Sequence, residues 1–323
     1  MNNNYNKFVN ILTDICIREK HDGILLSGGL DSSILAYHTR HKDAITVIID
    51  SNAPDYFYSS LIANKKKYIM NHHIITTSFN DILSNIEELI KDFNTFDPIF
   101  LKNSVVQLQG LKTAKKLKIA SLVIGDGADE IFAGYNFLLE YIGEPNIIES
   151  KINSLISDMD FVSIKLSDRL GLKIFLPFLE PEIIEFSKHI TVEEKISKHH
   201  GNPYGKYFLR KCYENILGKE VVWREKTALE NGSGVTFLNN YIDNTLLTNY
   251  EYKDQKEKAK LEGVEIRNKE HLWFYKTYRK FFSPPIENKS IDEDNNKRCP
   301  YCKSIFLSKG KFCKICGAFP VTL

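Results

Sequence analysis

The feature that most constrains this chain is a short apolar run that ends in a glycine turn. Gly23-Ile24-Leu25-Leu26 leads straight into Ser27-Gly28-Gly29-Leu30-Asp31-Ser32-Ser33. A run of that length bounded by turn chemistry reads as a buried parallel strand. Ser32 to His38 continues as a helix, and Ala44 to Ile49 (AITVII) is a β-branched run that reads as the next strand. This is one βαβ unit with the turn at its first corner. Before it, the spacing of Phe8, Ile11, Leu12, Ile15 and Cys16 predicts a helix over 5–19. A second corner follows a helix from about Val105 to Lys116, where Ala120 to Ile124 (ASLVI) feeds Gly125-Asp126-Gly127-Ala128-Asp129-Glu130. Two such corners predict an open α/β sheet whose ligands lie at the carboxyl ends of its strands. From about Asn136 to Phe282 the pattern is mostly helical, with loops at GLKIFLPFLEP (171–181) and KTALENGSG (226–234).

The first turn is glycine-rich, yet it matches neither GxxxxGK[ST] nor GxGxxG. A lysine is dispensable where a strand meets a helix, because unpaired N–H groups and the positive end of the helix dipole already favour an anion. Gly28 and Gly29 let the backbone approach a phosphate, and the hydroxyls of Ser27, Ser32 and Ser33 can donate to its oxygens. Asp31 would repel that phosphate unless a cation intervenes, and a carboxylate holding Mg²⁺ against pyrophosphate does this. A plain glycine turn with a Ser/Asp cap would explain the residues one by one but not their order. In the second corner, Gly125 and Gly127 permit a tight loop, while Asp126, Asp129 and Glu130 set carboxylates where a second Mg²⁺ bond and an incoming amine can be managed. The plainer alternative there is an acidic, solvated turn capping a helix.

No apolar run reaches the roughly 18–20 residues of a membrane span. MNNNYNKFVNILTDICIREK is polar and broken by Asp14, so it reads as neither signal peptide nor anchor, and a cytoplasmic protein with no membrane partner is expected. The net charge is only +2, but residues 295–323 hold Lys297, Arg298, Lys303, Lys309, Lys311 and Lys314 with no acid. The basic part is therefore the tail. It also holds four of the six cysteines, as CPYC at 299–302 and CKIC at 313–316. Cys299, Cys302, Cys313 and Cys316 at that spacing suit tetrahedral Zn²⁺ in a small ribbon, with an iron–sulfur cluster as the minority alternative and disulfides disfavoured inside a cell. Such a ribbon is too small to fold by burial, so the metal supplies its folding energy. Phe306, Phe312 and Phe319 among the lysines fit RNA contact; a docking knob on this chain or a partner fits equally. Cys16 and Cys212 read as buried small hydrophobes, and His72-His73, His199-His200 and Lys65-Lys66-Lys67 as surface or loop residues.

The opening loop resembles the SGGxDS loop of the ATP pyrophosphatases, and GDGADEIFAGY (125–135) is similar to the GEGxDExFxGY segment of the asparagine synthetases. TFDP (95–98), LSDRLGLKIFLPFLEPEIIEFS (166–187), GKYFLRKCYENILGKEVVWREKTALENGSG (205–234) and NKEHLWFYKTYRKFF (268–282) keep that family's order. The resemblance covers about residues 5–282. It implies an adenine nucleotide alpha hydrolase-like (Rossmann-like) parallel sheet with helices on both faces, a helical C-terminal half, and an appended small zinc ribbon on the four tail cysteines. The expected domains are 1–282, a linker at 283–298 and the ribbon at 299–323. The resemblance also implies an AMP-forming ligase that adenylates a carboxylate with MgATP and passes the acyl group to ammonia or another amine. Leu26, Ser27, Gly28, Gly29, Asp31, Ser32, Gly125 and Lys226 would bind ATP and pyrophosphate, and Asp31 and Asp129 would hold Mg²⁺. Lys226, Asp126 and Glu130 would serve catalysis, while Lys206 and Arg210 either join the site or solvate a helix face. The family's glutaminase half is absent, so ammonia would come free or from a separate glutaminase. Ile124, Lys173, Phe175, Ala228 and Leu229 depart from the family pattern and leave aspartate unassigned as the acceptor. Further partners to consider are tRNA, through nucleobase adenylation with the ribbon presenting the RNA, and a second copy in a homodimer. A degenerate, non-catalytic nucleotide binder is disfavoured by the intact Asp31, Asp129 and Lys226.

Overall fold

The computed structural model describes residues 3–40, 43–65, 68–287, 297–305 and 311–321. Lys66, Lys67, the Lys65 side chain, most of the expected linker (288–296), Phe306 and Lys309 lie outside the described residues. The chain forms two compact units. One comprises Met1–Thr76 with Gln109–Ser233, and the other Thr77–Leu108 with Gly234–Leu323. No described helix is long and apolar enough to cross a membrane.

The first unit is built on a parallel sheet. Helix α1 (Asn3–Arg18) precedes β1 (Gly23–Leu25), α2 (Leu30–Thr39) and β2 (Asp43–Ile48). Then come α3 (Pro54–Ser60) and β3 (Asn71–Thr76). In the second unit α4 (Phe79–Phe93) is followed by α5 (Pro98–Lys116), whose later half belongs to the first unit. The first unit resumes with β4 (Ser121–Val123), α6 (Ala128–Ile131), α7 (Pro145–Ser157), α8 (Val162–Leu170) and β5 (Lys173–Phe175). The strand order is β3-β2-β1-β4-β5, all parallel, with Gly23 opposite both Asp43 and Leu122. The chain builds outward from β1 on one side and then returns to β4 on the other. The crevice beyond β1 and β4 is therefore the switch point where such sheets bind ligands.

Strand alternation explains the two covered faces. Ile24, Leu26 and Ala44 join a core with Phe8, Leu12 and Ile15 of α1, Ile34 and Leu35 of α2, and Phe208, Leu209 and Tyr213 of the helix Tyr207–Leu217. Leu25 and Val47, on the opposite face, meet Gly110 of α5, where even a methyl group would press within 3.0 Å of Leu25. Cys16 is buried in the first core and Cys212 packs on its edge, as expected of small hydrophobes.

Two expectations need correction. His72 and His73 are not surface loop residues but lie in β3, where His72 Nε2 is 2.8 Å from Thr46 Oγ1 and His73 Nε2 is 2.7 Å from Asp43 Oδ1. GLKIFLPFLEP is not wholly a loop, since Lys173–Phe175 pairs with β4. A half-buried edge strand and a three-residue strand carry too little period-2 signal to be read from composition. His199 likewise sits in a short hairpin strand and stacks on Trp223, with ring centroids 3.6 Å apart.

Candidate active site

Helix α2 starts directly from the first turn. Gly29 stands extended at its N-cap with no side chain capping it, so the N–H groups of its first turn face the crevice unpaired within the helix. Leu26 continues the pairing of β1, its N–H donating to Ile45 O at 2.9 Å. Ser27 Oγ accepts from Gly29 N at 3.2 Å and lies 3.2 Å from Ser32 Oγ, which donates to Gly29 O. Gly28 has φ +70° and sits against the Tyr58–Ser59 backbone of α3, so neither a side chain nor an ordinary φ fits there.

The second turn meets the first. A Cβ on Gly125 would lie 3.1 Å from Asp31 Cβ. Lys206, at the start of the helix Tyr207–Leu217, joins the two corners: its Nζ is 2.5 Å from Asp31 Oδ2 and 2.7 Å from Asp129 Oδ1. Lys226 Nζ reaches Asp129 Oδ2 at 2.5 Å. Carboxylate and ammonium thus alternate in a row, Asp31, Lys206, Asp129, Lys226. Burial opposes the charges of Asp129 and Lys206, but their partners outweigh it. The two lysines hold the Asp129 carboxyl well below the usual range, and Asp129 and Asp31 raise the pKa of Lys206. Asp31 Oδ1 is buried and has no hydrogen-bond partner among the described residues.

The remaining acids are protected differently. Burial pushes the Asp126 carboxyl up to about 6, against a hydrogen bond from Ser163 Oγ at 2.6 Å. Burial also raises Glu130, whose Oε1 accepts from Tyr135 O–H at 2.5 Å. Arg210 is not a ligand of the row, nor does it solvate a helix face. It is 5% exposed and its guanidinium donates to the carbonyls of Gly205, Val222 and Arg224, bracing the chain that leads to Lys226.

Several contributors escaped the sequence reading. Ala133 and Lys206 adopt left-handed backbones, φ 57° and 53°. Gly134 abuts the Asp129 carboxylate and the Lys206 stem, and Gly205 abuts Ala133 O. A side chain at 134 would push Asp129 and Lys206 apart, and one at 205 would press on the backbone of Ala133. Arg224 Nη2 pairs with the buried Asp55 at 3.1 Å and its guanidinium lies 4.0 Å from the Tyr58 ring centre. Both of those partners are on α3, the helix that covers Gly28. The only signal for this latch was an arginine two residues before Lys226.

The second unit holds a separate cluster. The sulfurs of Cys299, Cys302, Cys313 and Cys316 are buried and all lie within 4.8 Å of one another. Cys299 and Cys316 are 3.8 Å apart, and Cys302 and Cys313 3.7 Å. A tetrahedral ion with metal–sulfur bonds of about 2.3 Å separates its sulfurs by about 3.8 Å, whereas a disulfide needs about 2.05 Å.

A parallel sheet with a glycine turn at its switch point, faced by a second acidic turn, defines a Rossmann-like protein of the adenine nucleotide alpha hydrolase kind. The comparisons narrow this further, since the asparagine synthase family model matches residues 17–148 and 147–278. The chain belongs to the asparagine synthase family. It is 28% identical over 244 residues to glutamine-hydrolyzing asparagine synthetase 1 of Lotus japonicus, covering 68% of this chain and 41% of that protein. Asparagine synthetase B of Escherichia coli is 25% identical over 238 residues, covering 67% of this chain and 42% of the relative. A second Lotus japonicus synthetase matches 88% of this chain and 51% of its own length at 25% identity. The chain thus spans about half the length, or less, of these relatives.

Proposed function

We propose that the protein is an ATP-dependent, amide-forming ligase. The observation that carries this is the row Asp31, Lys206, Asp129, Lys226 at the carboxyl ends of β1 and β4. The unpaired N–H groups of α2, with Ser27 and Ser32, receive the β and γ phosphates of ATP. Asp31 and Asp129 supply the hard oxygen donors Mg²⁺ requires, and the unsatisfied Asp31 Oδ1 is the atom such an ion would complete. The ion's chemistry there is to offset the negative charge of the pyrophosphate. A substrate carboxylate oxygen attacks the α phosphorus, the bond to the bridging β oxygen breaks, and pyrophosphate leaves. Lys226 and Lys206 stabilise the charge that develops on the departing group. Ammonia, free or from a separate glutaminase, then attacks the acyl carbon and AMP departs. Glu130, whose carboxyl burial raises, and Asp126, raised by burial to about 6, are placed to handle the proton the amine sheds. One zinc ion on the four tail cysteines belongs to the same reading, with the bonds from the ribbon to its own unit favouring docking over RNA contact.

Exchange of labelled pyrophosphate into ATP, screened over free carboxylic acids and over tRNA, tests it. Exchange should require a small carboxylate and fall at least about 100-fold in Asp31→Ala and Lys226→Ala. Exchange elicited by tRNA alone would overturn the ligase reading.

A further inference from the structure

The second metal knuckle is tied into its own unit by four consecutive carbonyls. Lys314 O and Ile315 O accept from Thr95 Oγ1 at 2.7 and 3.1 Å, and Ile315 O also accepts from Phe96 N at 2.8 Å. Cys316 O and Gly317 O accept from the two ends of the Arg267 guanidinium at 2.6 and 2.9 Å. The first knuckle adds Tyr301 O, which accepts from Glu265 N at 2.7 Å. Gly317, at φ +73°, presses so closely on the Asp97 carboxylate that no side chain fits.

What these bonds hold is a buried turn. Thr95, Phe96 and Asp97 are 2%, 0% and 1% exposed. Phe96 stacks among His271, Tyr275 and Tyr278 at centroid distances of 5.3, 5.0 and 5.1 Å. Asp97 Oδ1 accepts from Ile99 N at 3.0 Å and so caps the 19-residue helix α5. The carbonyls of 314–317 point outward together only because residues 313–316 wrap around a common centre. The described ribbon residues are too few to keep that shape by burial, so the shape depends on the metal.

We propose that the ribbon is a metal-dependent clasp: a single thiophilic divalent cation, zinc, fixes the knuckle whose carbonyls hold Thr95–Asp97, and with it the start of α5 and the Phe96 stack. The inference rests on the zinc reading of the four cysteines and is independent of the nucleotide site. Loss of the metal frees one turn of a chain that otherwise stays folded. The bond donors at Thr95 and Phe96, both buried, then lose their acceptors.

The test uses the full-length protein, elemental analysis and amide hydrogen exchange before and after metal is stripped with a mercurial and a chelator. The expected result is one zinc per chain. After stripping, exchange should quicken at least tenfold at 96–101 and 267–272, remain unchanged in β1, β2 and β4, and revert when zinc is restored. Unchanged protection at 96–101 overturns the clasp. No metal overturns the clasp itself, whereas iron overturns the zinc reading alone, and Arg267→Ala then decides the clasp. This variant keeps all four cysteines, and the clasp requires faster exchange at Phe96 and 315–318 with the metal retained. Wild-type exchange there would sink it.

Discussion

Asp31 and Asp129 stand on either side of a lysine, whereas Cys299, Cys302, Cys313 and Cys316 stand around one another. Both clusters gather like groups at close range, but the carboxylates are balanced by lysines of this chain, whereas the sulfurs meet only one another and a hydroxyl in the bonds described. Lys206 and Lys226 arrive on segments from the far end of the first unit and supply the counter-charge as part of folding. The four sulfurs contact one another and the Ser304 hydroxyl, and on the proposed zinc reading their balance comes from an ion. On the readings proposed above, the first arrangement is a folded site that waits for ligand, and the second makes folding itself report on the ion.

The largest effect that would break this contrast lies at Lys206. Lys206→Met leaves two enclosed carboxylates facing each other, and urea denaturation should show a loss of about 3–5 kcal/mol. Millimolar Mg²⁺ should restore part of it, because the ion takes the lysine's electrostatic place. A variant as stable as the parent and indifferent to Mg²⁺ would show the phosphate corner is not self-balanced. On the ribbon side, Gly317→Ala meets both a left-handed backbone and the Asp97 carboxylate. Thermal melts should report a loss of about 2 kcal/mol, confined to the second unit in hydrogen exchange. The smallest effect sharpens the comparison by pH. Asp126 carries a carboxyl raised to about 6 by burial, so the folded state keeps a proton that the unfolded chain gives up above its ordinary value. Stability therefore falls as pH rises through the window between the two values. Asp126→Asn, which retains the partner for Ser163, should be more stable than the parent at pH 7, with the gain vanishing below about pH 4. A gain that persists at about pH 3.5 would assign it to packing instead.

The parts legible in the sequence were those with local signatures. Ile24 to Ser33 announced a strand, a turn and a helix because burial, glycine and capping all act within a few residues. The four cysteines declared their cluster by spacing alone. Lys206 was left undecided between the site and a helix face, since what places it is the left-handed backbone at 133 and 206 and the close approach of Gly134 and Gly205. Such features depend on segments about 70 residues apart and leave no period in the chain. The same holds for Asp55 and Arg224, 169 residues apart, and for Thr95, which looked like part of a family motif but commits its hydroxyl to Lys314 and Ile315. β3 was missed for a different reason: an edge strand with two histidines shows no clean alternation.

The tight seam between residues 133–134 and 205 bears on how the protein could be altered. Because a methyl group at either glycine would collide with the ionic row or with Ala133 O, the floor of the proposed nucleotide site has no slack. If the ligase reading holds, new acceptors, whether sought by evolution or in the laboratory, will have to be accommodated by remodelling the walls and leaving that floor untouched.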